Sequence, residues 1–515
     1  MRKFFNTAGP CIPDDHYTVP SEARCGDLQA LVREKRFFVI HAPRQVGKTT
    51  LIRDFVRQLN QEGHYQAIYC TLETAQNMTD LEKGMALILR AIEKAIRFSS
   101  YADVKIDLKA IEDEPGSVLH STLATYCSVI SKPLVIMFDE VDCLAGETLL
   151  SFLRQLRQGY VERGDIPFVH ALALVGMRNI RDYKSEVRDG RQTLGSASPF
   201  NIVSKALTIR NFNLDELKQL LAQHTEATGQ EFPDHLAQKI FTWSSGQPWL
   251  CNAIAYEIVA EILKNDHTKA ITEDLVETAV ENIILRRDTH IDSLLERLKE
   301  PRVRRIVEPV ILGQQVNLEF SNDDASYTFD LGLLVKNKGD VTPANAIYRE
   351  VIIRALTYDS QYRLPTSLAG RYIEDGRVDM TTLLKAFQQF WRENSAIWVA
   401  KFDYKEAAPH LILQAFLQRI INGGGRIDRE YSAGRGRIDL CVGLGPYRYG
   451  IELKICYRPD TREKGLNQLA AYLQSLDLDE GWLILFDRDL EKDWDQKISW
   501  DDVSHQGKTI HVVSC

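Results

Sequence analysis

Several features are missing from this sequence, and each gap excludes something. No CxxC pair occurs, and the nine cysteines make an odd count. A disulfide framework or a zinc knuckle is therefore not expected, and a reducing cytoplasm is the expected compartment. No apolar run approaches the roughly 20 residues that a membrane helix needs. The longest, around PFVHALALVGM, is far shorter. The first residues, MRKFFNTAGPCIPDD, have neither a long apolar core nor a small-residue cleavage site, so no secretory signal is expected. No repeat period and no low-complexity tract stands out. An excess of positive charge is also missing: 63 Lys and Arg stand against 71 Asp and Glu, a net charge of −8. That balance argues against a general nucleic-acid coat or a polybasic membrane binder.

What is present fits a multidomain globular chain. At roughly 100–200 residues per domain, 515 residues make three or four domains. An apolar share of 44% with 26% charged residues excludes a collagen, a coiled-coil rod and a largely disordered chain. Over residues 1–210, short apolar runs alternate with amphipathic stretches. The runs are RFFVIHA (36–42), YQAIYCTL (65–72), KPLVIMFDE (132–140) and FVHALALVG (168–176). Such runs suit strands buried on both faces of a parallel sheet. Residues 100–130 show no clear period. Residues 211–285 read as helices, the first capped by Asn213 with Glu216 three residues on. A break follows at Gly246-Gln247-Pro248. Residues 286–378 mix helices with strand-like pieces (YTFDLGLLVKN, DVTPANAIY) and end in a linker, which suits a winged-helix-like module. Residues 379–515 form a final α/β segment.

The first chemical site is APRQVGKTT (42–50), between a strand and a helical stretch. A phosphate-binding loop wraps successive backbone N–H groups around an anion at a helix N-terminus. Arg44, Gln45 and Val46 form the loop, and Gly47 lets the backbone approach. Lys48 reaches the β/γ oxygens of ATP. Thr49 is the candidate Mg²⁺ ligand, and Thr50 follows it. Ala42 stands where the first glycine is usual. Asp139 and Glu140 close the apolar run KPLVIMFDE: the aspartate to bind Mg²⁺, the glutamate to polarise the attacking water. The bland alternative is a chance GKT and an acidic strand end, and the strand-loop-helix context weighs against it.

These residues resemble the P-loop ATPases of the AAA and STAND type over about residues 1–285. The resemblance implies a polar sensor after LALVGM, at Arg178 or Asn179. It implies a lid segment at GQPWL (246–250) and a nucleotide-side residue at Arg24. It also implies self-association through the ATPase domain, with Arg154 and Arg157 as arginines acting in trans. Solvated helix charges are the simpler reading of that pair.

The second site is GRGRIDLCVGLGPYRYGIELKI (434–455). IDLCV and YGIELKI are strand-like around a Gly-Leu-Gly-Pro turn. A symmetric hairpin sets Asp439 opposite Glu452, and Glu452 and Lys454 share a face. Two facing carboxylates favour a cation, and a lysine beside them equips the group for metal-assisted phosphodiester hydrolysis. An ordinary cross-strand salt bridge is the rival. A helix over TREKGLNQLAAYLQSL follows, placing Gln468 and Tyr472 together at i, i+4, and then the strand GWLILF. The order helix, strand, hairpin, helix, strand resembles the PD-(D/E)XK nuclease superfamily, with Ile438 in place of its proline. That resemblance implies Asp439 and Glu452 as metal ligands for Mg²⁺ or Mn²⁺. It implies Lys454 as catalytic, Gln468 and Tyr472 as supporting residues, and Glu430 or Glu406 as an extra acidic ligand.

Arg426, Arg429, Arg435 and Arg437 among glycines suit phosphate contacts, or simply a solvated loop. The basic stretch 285–305 suits DNA contact in a winged-helix manner or, as the simpler reading, exposed helix faces. Residues 401–475 carry 12 Lys and Arg against 8 Asp and Glu, whereas 476–515 carry 4 against 10, so the acidic tail masks a basic region. The expected fold is α/β multidomain: a P-loop NTPase parallel-sheet core with a helical lid, a winged-helix-like module and a restriction-endonuclease-like α/β domain. The expected function is an ATP-binding, ATP-hydrolysing protein whose nucleotide state controls a metal-dependent nuclease. Nucleic acid is the expected partner, DNA ahead of RNA, with no membrane. The fusion type suggests genome defence. The alternative is a regulatory or DNA-binding ATPase whose nuclease-like domain is idle.

Overall fold

The computed structural model describes residues 3–102, 104–106, 113–177, 205–286, 289–311, 323–337, 340–352, 355, 372–374, 376–401, 413, 416–417, 425–433, 436–456, 460–487 and 492–515. It divides into two units, Met1–Val303 with Asn317–Arg349, and Arg304–Val316 with Glu350–Cys515. Among the described residues, no helix is long and apolar enough to cross a membrane.

The first unit is built on a parallel sheet. Its strands are β1 (Phe37–His41), β2 (Gln66–Thr71), β3 (Leu134–Asp139), β4 (Ala171–Gly176) and β5 (Lys205–Thr208), in the order β2-β3-β4-β1-β5. All four pairings are parallel. Every residue of β3 and β4 is buried, which is why they read as unbroken apolar runs. The short strand β5 carries no such signal, because it is mostly exposed.

Helices α1 (Leu28–Arg33), α2 (Lys48–Glu62), α3 (Leu81–Arg97), α4 (Val118–Val129) and α5 (Gly146–Glu162) flank the sheet. Cores lie on both faces. Ile68, Ile136 and Leu172 pack under α3–α5. Ala67, Val135 and Ala171 pack with Leu51 and Phe55 of α2. Neighbouring strand residues enter opposite clusters, as the pleat requires. Residues 118–129 lack a clear period because α4 carries apolar residues around much of its surface.

Four helices follow: α6 (Leu214–Thr228), α7 (Asp234–Ser244), α8 (Pro248–Tyr256) and α9 (Glu273–Arg286). The Asn213–Glu216 capping box opens α6, with bonds of 2.8 and 2.9 Å. Ser245 and Gly246 are left-handed between α7 and α8, and Pro248 occupies the first position of α8. The Gly246 carbonyl accepts the Phe212 N–H at 2.9 Å. A Cβ on Gly246, at φ +70°, would lie 2.0 Å from the Phe212 carbonyl oxygen. We therefore expect Gly246→Ala to lower stability by about 2–3 kcal/mol or more, from positive-φ strain plus a clash with backbone that cannot yield. A denaturation curve of the purified protein checks this.

The unit ends with α10 (Thr289–Leu298), α11 (Asp323–Asp330) and an antiparallel hairpin of β6 (Leu334–Asn337) and β7 (Asp340–Pro343). Here the structure corrects the first part of the strand-like reading of YTFDLGLLVKN, whose last residues, Leu334–Asn337, are β6. Tyr327–Asp330 are helical, with the Thr328 hydroxyl bonded to the Asp324 carbonyl at 2.7 Å. Gly332, at φ +76°, redirects the chain into the hairpin.

In the second unit a short pair, β8 (Ile373–Glu374) and β9 (Arg377–Val378), precedes α12 (Met380–Lys401). A mixed six-stranded sheet follows in the order β10-β11-β12-β13-β15-β14. Its strands are β10 (Gly425–Ala433), β11 (Gly436–Leu444), β12 (Tyr447–Cys456), β13 (Glu480–Asp487), β14 (Ser499–His505) and β15 (Lys508–Ser514). Strands β12, β13 and β15 run parallel, and antiparallel partners close both edges. Along β13, Trp482, Ile484 and Phe486 enter one core with Phe387 and Phe416. Leu483 and Leu485 enter the other, under α13 (Thr461–Ser475).

Candidate functional site

The loop 42–47 joins the end of β1 to the start of α2, so it lies at the carboxyl edge of the parallel sheet. Gln45 (φ 60°) and Gly47 (φ 96°) are both left-handed, which curls the loop ahead of the helix N-terminus. Lys48 is 7% exposed and donates from Nζ to the carbonyls of Ala42 and Pro43, at 2.8 and 2.9 Å. Burial pulls its ammonium below the ordinary lysine range, while Glu140, Asp142 and Asp139 oppose that shift.

Asp139, 1% exposed, ends β3. Its Oδ2 accepts from the Thr49 hydroxyl at 2.8 Å and from the Tyr69 hydroxyl at 3.0 Å. Its Oδ1 accepts the Glu140 N–H at 3.1 Å. Glu140 is itself left-handed, at φ 57°. Burial first, then Asp142 and Asp139, push its carboxyl above the usual glutamate range. The Thr50 hydroxyl accepts the Cys11 N–H at 3.1 Å, so the N-terminal segment touches α2.

Three further residues support the loop. Arg24 is buried, donates to the carbonyls of Val46 (3.1 Å) and Arg210 (3.2 Å), and sits 4.8 Å over the Phe212 ring. Burial lowers its guanidinium to about 10. Gln247 at the α8 N-cap donates to the Gln45 carbonyl at 3.4 Å, which joins the helical segment to the loop. Arg44 turns aside and bonds the Ser293 hydroxyl of α10 at 2.6 Å. A cavity of about 270 Å³ lies beside the loop, with Pro43, Val46, Gln247 and Tyr348 in its wall.

Four positions with a part in these sites carry no motif of their own. Tyr69 reaches Asp139 from β2. Asp142 accepts the Met177 N–H at 3.2 Å, and its other oxygen is buried without a partner among the described residues. Gly332 meets the loop so closely that a Cβ there would lie 2.5 Å from Pro43 Cβ. Gly465 appears below. The DEVD spacing hints at Asp142, but nothing in the sequence signals the other three. Arg178 and Asn179 lie outside the described residues. Arg154 is exposed on α5.

In the second unit, β11 and β12 pair with Leu440 opposite Ile451, which sets Asp439 at the level of Glu452. The Leu453 N–H donates to Asp439 Oδ2 at 2.8 Å, and the Asp439 N–H points to Glu452 Oε2 at 3.4 Å. Lys454 Nζ bonds Glu452 Oε1 at 2.6 Å. Glu452 is 2% exposed. Burial first, then Asp439, push its carboxyl up to about 7 against the pull of Lys454. Gly465 of α13 lets the helix lie on this lysine, since a Cβ there would be 2.7 Å from Leu483 and 3.3 Å from the Lys454 stem.

Gln468 is exposed. Tyr472 packs half-buried at the Leu469–Leu473 core, and among the described residues neither bonds to the Asp439, Glu452, Lys454 group. Glu406 and Arg435 lie outside the described residues. The strand residues Glu430, Arg426, Arg429 and Arg437 are described in backbone only. Among the described residues, no group of three or more His, Cys, Asp and Glu side chains forms a metal cage.

A sequence profile for the AAA-like domain matches residues 18–353, more than half of the chain. The chain belongs to the AAA-like domain family. The match takes in the sheet, the four-helix segment and the hairpin after Gly332, so these form one AAA-like domain. With the loop and Asp139 in place, the protein is a nucleotide-binding AAA-like ATPase. Among curated proteins none matches it.

Solved structures similar to this AAA-like chain include the Walker-type ATPase PABY2304 of Pyrococcus abyssi. It has 14% identity and a TM-score of 0.48, over 68% of this chain and 99% of that one. The Aeropyrum pernix ORC2 protein has 16% identity and a TM-score of 0.39, over 67% and 96%. The Thermotoga maritima RuvB Holliday junction branch migration motor has 14% identity and a TM-score of 0.33, over 63% and 91%.

Proposed function

We propose that this AAA-like ATPase uses its nucleotide state to control a metal-dependent nuclease in residues 379–515, with DNA as the substrate ahead of RNA. The observation that carries the nuclease half is Glu452: a buried carboxylate beside Asp439 on a paired strand, with the Lys454 ammonium bonded to it. Holding a second carboxylate beside a buried one is costly, and a divalent cation between hard oxygen ligands relieves that cost. The donor set therefore fits Mg²⁺ or Mn²⁺. When bound, the cation supplies a Lewis acid and an activated water. Asp439 and Glu452 would hold it. Lys454, on the same face as Glu452, would orient the water or the scissile phosphate. Gln468 and Tyr472 would support the site from α13.

In the ATPase half, the Thr49 hydroxyl and Asp139 carboxylate are 2.8 Å apart, a hard-oxygen pair suited to Mg²⁺. Lys48 would trade its two carbonyl bonds for phosphate oxygens, and Glu140 would orient the attacking water. Gln247 and the Gly332 turn both touch the loop, which supports nucleotide-dependent rearrangement of the lid and hairpin module.

The test is a matrix. Purified chain is mixed with duplex DNA, single-stranded DNA and RNA, with Mg²⁺ or Mn²⁺, with and without ATP. Metal-dependent cleavage whose rate changes with ATP is the expected result. Cleavage indifferent to ATP removes the control. Absence of cleavage in every cell favours the regulatory ATPase with an idle nuclease-like domain.

A further inference from the structure

We propose that the open edge of β2 is a docking site for an extended, acidic segment of a partner protein, and that its occupancy is felt at Asp139 through Tyr69. The docking half stands apart from the ATPase and nuclease readings. The coupling half rests on the first of them.

The backbone supplies the first observation. Strand β2 pairs only with β3 among the described residues. The Gln66 N–H bonds the Pro133 carbonyl and the Leu72 N–H bonds the Asp139 carbonyl, so the even-numbered residues bond inward. Residues 67, 69 and 71 face outward. Asn60 caps the first of these: its side chain accepts the Ala67 N–H at 3.0 Å and donates to the Ala67 carbonyl at 2.9 Å. The outward N–H groups of Tyr69 and Thr71 have no bond partner among the described residues. An added strand is the structural solution for such an edge.

The side chains supply the second. The edge is the floor of a groove of about 680 Å³ between α2 and α3. Leu87, Ala91 and Ala95 are partly exposed along one wall, and Phe98 at its end is 76% exposed. Among the described residues, the charged ones lining the groove are Arg53, Arg90 and Lys94, and no carboxylate joins them. An extended segment places alternate side chains toward opposite walls. Apolar and acidic residues in alternation meet both the stripe and the cations. A second copy of this chain is disfavoured, because edge-to-edge pairing would bring two such cationic grooves together.

The third observation is the connection. Tyr69, whose backbone is the docking edge, donates its hydroxyl to Asp139 at 3.0 Å, and the Arg53 guanidinium sits 4.8 Å over its ring. A strand laid on Tyr69 that draws Arg53 toward an acidic side chain changes what holds the Tyr69 ring, and with it the Asp139–Thr49 contact.

The experiment uses the full chain and a fluorescein-labelled nonapeptide of alternating valine and glutamate. The controls are a valine–lysine version and a version interrupted by proline. Expected results are saturable binding of the first alone, and about tenfold weaker binding in Arg90→Glu/Lys94→Glu. Phe98→Asp, at an exposed position, gives a second variant with little burden on folding and should weaken binding similarly. Peptide should slow amide exchange at Tyr69 and Thr71 by about tenfold, and leave Ala67 unchanged. It should also shift the apparent Kd for MgATP in wild type, and not in Tyr69→Phe. No binding overturns docking, as does equal binding of the lysine peptide or unchanged exchange at Tyr69. Self-association that peptide abolishes instead assigns the edge to a second copy. A MgATP Kd indifferent to bound peptide overturns the coupling.

Discussion

Lys48→Ala is expected to weaken nucleotide binding by roughly 100-fold or more, the equivalent of about 3 kcal/mol for a lost charge-assisted contact to phosphate. The geometry makes this a sharp test. Lys48 is buried and holds its ammonium at the Ala42 and Pro43 carbonyls, in the mouth of the loop. Alanine at this position keeps helix propensity and leaves Gly47 and Thr49 untouched. The variant should therefore melt near the wild-type temperature without nucleotide and lose the stabilisation that MgATP gives wild type. A fluorescent ATP analogue titrated in Mg²⁺ reads the affinity directly. Equal affinity in the two proteins would remove the phosphate loop from the account. The same variant should keep the nucleic-acid chemistry of the second site while making it indifferent to ATP.

The second large effect belongs to Asp439→Asn. Asparagine keeps an oxygen to accept the Leu453 N–H that Asp439 now accepts at 2.8 Å, so the hairpin should survive. Only the charge is lost. With one carboxylate left, cation affinity and metal-dependent cleavage should fall together, by about 10–100-fold or more, the loss that even an outer partner of a metal ligand causes. Lys454→Ala should cost as much in cleavage. It also leaves Glu452 buried without its ammonium, so its thermal stability has to be measured alongside. Gel assays with Mn²⁺ and Mg²⁺ check both variants. Cleavage that persists in Asp439→Asn and Lys454→Ala would move the chemistry elsewhere.

The sequence made some of this readable and hid the rest for physical reasons. β1 to β4 were legible because a strand covered on both faces is an uninterrupted apolar run. The Asn213 cap and the Gly-Gln-Pro break were legible because caps and turns use few residue types. β5 was not, since an exposed edge strand has no hydrophobic signature. Tyr327–Asp330 misled because Tyr, Thr and Phe favour strands, and tertiary packing together with the upstream acidic turn put them in a helix. At the first site, Lys48, Thr49 and Asp139 stand in a spacing that the chemistry itself dictates. Tyr69 reaches the same carboxylate only because β2 lies beside β3, and a pairing between distant strands leaves no local mark. Gly465 and Gly332 are required by contacts with Leu483 and Pro43, each far off in sequence, so no local pattern distinguishes them from linker glycines.

The contact of Gly332 with Pro43 has a consequence for how this protein can vary. The two positions lie close together in space and almost three hundred residues apart in the chain, with no room for a side chain between them. The pair therefore constrains position 332 twice over. A smaller residue at 43 relieves the clash of a Cβ at 332 but leaves the strain of a side chain at φ +76°, so Gly332→Ala should be rescued only in part by Pro43→Ala.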